Sequence, residues 1–108
     1  MRYIKLLPDI KLTHINGEPL TPEMSCSHKE FLMSRLADNE FADKVENIGI
    51  ALDIRAKIRT STEVLELENT EWEKMVKSAS SPTGGYNPQL AHNFFEFIQS
   101  VLNAPNVR

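Results

Sequence analysis

A single cysteine, Cys26, excludes an intrachain disulfide in this 108-residue chain and is the usage expected of a reducing compartment. No apolar run approaches the roughly 20 residues that a membrane-spanning helix needs, so no membrane partner is expected. The opening Met1-Arg-Tyr-Ile-Lys-Leu-Leu-Pro8 lacks the long apolar region and small-residue cleavage site of an export signal. Basic residues are not in excess: 12 Lys and Arg against 15 Asp and Glu leave a formal charge of -3. Without a global positive field, a general nucleic-acid binder is disfavoured, although a local basic patch stays open.

The residues that carry chemistry are also sparse. Cys26 and His28 are close in sequence, but His14 and His92 lie in unrelated segments and no two-ligand hook repeats, so neither a metal nor another cofactor is expected. Nucleophilic catalysis would need Cys26 and His92 brought together by the fold, and Asn93 beside His92 does not by itself supply an orienting group. Thr83-Gly84-Gly85 lacks the spacing and the Lys-Ser or Lys-Thr ending of a phosphate loop, and reads as a connector. Glu63, Glu66, Glu68, Glu71 and Glu73 form the clearest charge feature, read here as a solvated acidic face or a docking patch for a basic partner. The expectation is a protein that is not an enzyme.

What is present is helical periodicity. The length suits one domain with a real core, and 41% hydrophobic residues favour a folded chain. Between Phe41 and Ile58, apolar residues fall on two opposite faces of a helix expected over about Glu40 to Arg59. Phe41, Val45, Ile48 and Leu52 make one stripe; Ile50, Ile54 and Ile58 make another, roughly 160 to 180° away at about 100° per residue. One face can enter the core and the other needs a second cover. Ile50, Ile54 and Ile58 are assigned to the contact face, with Arg55, Arg59, Glu66 and Glu68 as its charged rim. Lys57, with Lys44 upstream, extends a basic strip beside Arg55 and Arg59. Gly49 lies inside this helix, where its missing side chain would allow a close helix crossing.

Other elements follow from caps and turns. Residues 3–7 and 11–15 are β-compatible, and Asn16-Gly17 is a favoured two-residue turn that pairs Thr13–Ile15 with Glu18–Leu20. Ser27 and Glu30 read as a capping box that opens a short helix with Phe31, Leu32 and Leu36 facing inward and an end near Asp38-Asn39. Val64–Leu67 reads as a short strand or link, and Thr70 to Glu73 as a second capping box before a stripe of Trp72, Met75, Val76 and Ala79. Ser80 to Tyr86 reads as a loop. Asn87-Pro88 starts a last helix with Leu90, Ala91, Phe94, Phe95, Ile98, Val101 and Leu102 inward and Phe97 off centre, and Pro105 ends it. The fold class is therefore mainly α (α+β). About four helices form a core over residues 27–103, with a small hairpin or extended arm over 1–24 and a short central strand.

In this order of features the chain resembles small phage- and prophage-encoded accessory or assembly proteins. The features are the Asn16-Gly-Glu-Pro-Leu20 turn, the Lys29–Leu36 helix, the Lys44–Ile58 helix, the Val64–Leu67 segment with its acidic-capped helix, and the terminal helix after Tyr86-Asn-Pro88. The resemblance implies a partner that is a second copy or another viral protein, in the host cytoplasm or incorporated in a virion, and it carries over no catalytic residue. The competing class is a regulatory protein that binds a host protein or nucleic acid.

Overall fold

The structure, a computed structural model, describes residues 1–36, 44–80 and 88–107. Phe41, the Asp38-Asn39 helix end, Thr83–Gly85, Tyr86 and the Asn87 cap lie outside the described residues.

The first strand, β1 (Arg2–Lys5), pairs antiparallel with β4 (Val64–Leu67), Ile4 lying opposite Leu65. A second two-stranded pair joins β2 (Ile10–Lys11) to β3 (Ser25–Cys26). Four α-helices are described: α1 (His28–Arg35), α2 (Val45–Thr60), α3 (Asn69–Ser80) and α4 (Phe95–Leu102), the last preceded by a 3-10 segment at Pro88–Phe94. The fold is thus mainly helical with two small antiparallel strand pairs.

Alternation along β1 and β4 explains how the sheet sits. Ile4, Leu65 and Leu67 point into the core and are fully buried, while Lys5 and Glu66 stand exposed on the other face. The core joins them to Leu12, Phe31, Leu32, Ile54, Ile58, Met75, Ala79, Phe94, Phe97, Val101 and Ala104. Three bonds hold the last helix and its exit against β1: Tyr3 N–H donates to the Pro105 carbonyl at 3.0 Å, Arg2 Nη1 to the Ala104 carbonyl at 3.0 Å, and Ser100 Oγ to the Lys5 carbonyl at 2.8 Å. Trp72 Nε1 reaches from α3 to the Val101 carbonyl at 2.8 Å, with the Arg2 guanidinium over its ring.

The Ser27 capping box is formed. Glu30 N–H donates to Ser27 Oγ at 3.0 Å and Ser27 N–H to Glu30 Oε2 at 3.5 Å. The second box is shifted from its expected place. Helix α3 begins at Asn69, with Glu68 N–H donating to Glu71 Oε1 at 2.8 Å and Trp72 N–H to the Glu68 carbonyl at 2.8 Å. Glu71, not Glu73, therefore returns the bond, because with the helix starting at Asn69 it is the third helical residue, the one placed to reach back to the preceding amide.

The Asn16-Gly17 turn is present but is not the two-residue type. His14 N–H donates to the Glu18 carbonyl at 2.8 Å and Gly17 N–H to the His14 carbonyl at 2.9 Å, closing a three-residue loop. Only Gly17 has positive φ, at 91°, among the described residues. Asn16 instead uses its side chain, Oδ1 accepting Glu18 N–H at 3.0 Å. The hairpin shrinks to a single bridge between Thr13 and Pro19, since proline has no N–H to extend a ladder.

Two packing expectations are corrected. A Cβ built on Gly49 would meet nothing within 4 Å, so no helix crosses closely there. In the last helical segment Phe97 is buried and Phe95 exposed, the reverse of the expected stripe. The 3-10 segment ends at Phe94, which stands at the N-cap of α4, so the helix that follows brings Phe97 and Val101, four apart, to its buried side.

Candidate interaction surface

The two apolar faces of α2 are both present, and the one expected to lie outside is the one packed inside. Ile54 and Ile58 are 0% and 1% exposed, and Ile50 is half-buried against the core. They face the chain's own interior, so the contact face assigned to them is corrected. The outward stripe is Val45, Ile48 and Leu52, exposed by 86%, 46% and 48%. Arg55 and Arg59 continue this stripe at helical spacing and are also exposed. That continuation was the missed signal: one apolar column runs on into arginines, which keep their charge in water, whereas the other is completed by Ile50 and Ala51.

Lys57 leaves the basic strip. It points to the opposite side of α2 and pairs with Glu71 at 2.5 Å. The acidic run is likewise divided. Glu63 lines a groove by the sheet, Glu66 and Glu68 border a shallow depression with Met1, Lys57 and Thr60, and Glu73 lines a cleft between α2 and α3. Glu71 is turned inward, its side chain 8% exposed. A single acidic docking face is therefore not what the fold builds from these residues.

The groove by the sheet has a volume of about 700 Å³. One wall is the outer side of β1 and its exit, with Tyr3, Leu6 and Leu7; another is Gln99, Ser100 and Asn103 of α4 and its end. Its lining is mostly apolar, with the charges of Lys5, Glu63 and Glu96 among it.

The candidates for chemistry stay apart. Cys26 is half-buried and its Sγ donates to the Ser27 carbonyl at 3.4 Å. Burial first, then the carboxylates of Glu30 and Asp9, push its thiol up from the ordinary value, which disfavours the nucleophilic thiolate. Among the described residues no hydrogen bond joins Cys26 to His92. Asn93 turns instead to Thr13, its Oδ1 accepting the Thr13 N–H at 2.9 Å and its Nδ2 donating to the Thr13 carbonyl at 3.0 Å. Among the described residues no three His, Cys, Asp or Glu side chains converge as metal ligands. No described helix is long and apolar enough to cross a membrane.

Comparison with protein-family models, with curated proteins and with solved structures finds no match.

Proposed function

We propose that this chain is a non-enzymatic protein–protein interaction or assembly protein whose contact face is the outward stripe of α2. The observation that carries the reading is the register of Val45, Ile48 and Leu52, three exposed apolar side chains on one helix face. Scattered surface apolar residues are ordinary, but a continuous stripe leading into arginines has the form of an apolar contact with a charged rim. The arginines add bidentate donors for carboxylates on the partner. A second copy is the first partner to test, and the phage or prophage setting implied by the order of features would make another viral protein the next.

Light scattering across micromolar concentrations tests the reading. The wild-type chain is expected to show an assembly mass, and Leu52→Asp a monomer with an unchanged helical signal. A monomeric wild-type chain that also fails to bind any other protein through this stripe would overturn the proposal.

A second reading, regulation by binding a segment of a host protein, is favoured by the mostly apolar groove between β1 and α4. A nucleic-acid version of that reading loses Lys57 to its pair with Glu71. Binding of mixed DNA and RNA at low salt would be needed to restore it.

A further inference from the structure

His28 is held on several sides. Its ring is 2% exposed and stacks on Phe97 of α4 with centroids 4.4 Å apart and planes 4° from parallel. Nδ1 accepts the Leu7 N–H at 2.9 Å. An imidazole nitrogen that accepts carries no proton, so this bond fixes the neutral tautomer with hydrogen on Nε2. Nε2 is itself buried without a hydrogen-bond partner.

The three attachments belong to different parts of the fold. His28 opens α1, Phe97 lies in α4, and Leu7 belongs to the segment between β1 and β2. Leu6 and Leu7 wall the groove on one side, and Glu96, Gln99 and Ser100 of α4 wall it on another. One imidazole thus ties a groove wall to the helix that faces it.

We propose that His28 is a proton-sensitive latch whose protonation at Nδ1 releases the Leu7 amide and frees Leu7 from the groove wall, while Leu6 stays held by its N–H to the Glu63 carbonyl at 2.9 Å. The nitrogen lone pair that held the Leu7 N–H takes a proton from solvent, so two donors then face one another where a donor met an acceptor. The imidazolium is also left against a phenylalanine face in the core, where the Phe97 backbone is the one group that favours its charge.

The charged groups on the packed elements leave this response to His28. Lys5 and Asp9 on the Leu7 segment, Glu30 on α1 and Glu96 on α4 are exposed, and Lys29 is half-buried. Arg35, further along α1, places its guanidinium carbon 5.6 Å from the Phe31 ring centroid. Burial is the main cause that moves His28 from its ordinary value of 6.5 down to about 4, and the Phe97 backbone opposes it. Neighbouring charges are not among the causes. The latch is therefore closed at neutral pH and opens in acid.

NMR of the full isotope-labelled chain tests this, following the His28 ring, the Leu7 amide and the Met75 amide of α3 from pH 7 to 4. Hydrogen-exchange protection, corrected for intrinsic rates, should fall about tenfold or more at Leu7 as His28 titrates, while Met75 stays protected. His28→Gln offers a non-titrating acceptor and should hold Leu7 protection constant over the same range. Three wild-type outcomes would overturn the latch: a His28 midpoint near 6.5, Leu7 protection unchanged through the titration, or complete loss of protection at Met75 together with Leu7. All three can be read even where the Gln variant does not fold.

Discussion

One carboxylate, that of Glu71, caps α3 through the Glu68 N–H and at the same time anchors Lys57 of α2. The carboxylate is nearly buried while Lys57 is 38% exposed, so removing the side chain leaves the helix-end amide without its acceptor and returns the ammonium to water. Glu71→Ala is expected to cost about 1–3 kcal/mol, read as a lower urea midpoint with unchanged slope. Gly49 gives the opposite sign. A methyl there meets open space within a helix, so Gly49→Ala should raise stability by about 0.5–1 kcal/mol on the same titration. Sequence reading found Glu71 as a first-turn acid but not its second partner, because Lys57 is 14 positions away and only the α2–α3 packing joins them. His28 was legible as a helix-start residue. Its burial was not, since that depends on Leu7 and Phe97 arriving from distant segments.

At the scale of elements, α2 decides between core and contact. Ile54→Asp should unfold the chain, because it puts a carboxylate where an isoleucine is fully buried. Leu52→Asp, two positions away, should leave the thermal transition of the monomer, read at concentrations too low for assembly, nearly unchanged. Circular dichroism melts of the two variants check the assignment of faces, and equal destabilisation by both would refute it. Periodicity revealed the two stripes of this helix because side-chain direction is local. Which stripe faces inward was not local: Ile54 and Ile58 belong to the same core as Leu65 and Met75. The last helix shows the same limit. Its broad apolar surface was plain from Leu90 to Leu102, but the α-helix starts only at Phe95, after a 3-10 stretch, and buries Phe97 and Val101 instead of Phe95. The Ser27 capping box, by contrast, needs four consecutive residues and was read correctly.

For the whole molecule, His28 also sets a pH dependence of folding. In the unfolded chain it titrates near 6.5, and in the fold near 4, so between those values the unfolded chain binds more protons. Its contribution is fully present above about pH 6.5 and is lost as pH falls toward 4, on the order of 3 kcal/mol over that interval. Urea titrations at stepped pH should show this decline in the wild type and a shallower one in His28→Gln; parallel curves would contradict it. The overall class was legible because helices and caps are local signals. The pairing of β1 with β4 was not, since a short strand carries no mark of which distant segment completes it.

That pairing has a consequence for how the chain is made. β1 is made before the other described elements, yet its ladder partner lies about 60 residues later and the carbonyl of Ala104 that receives Arg2 lies 102 residues later. Until Val64–Leu67 has been made, Tyr3 and Ile4 therefore have no ladder partner from this chain and form a partly apolar β edge open to another strand. The last described helix, with its exit at Ala104 and Pro105, is the one that closes over that edge.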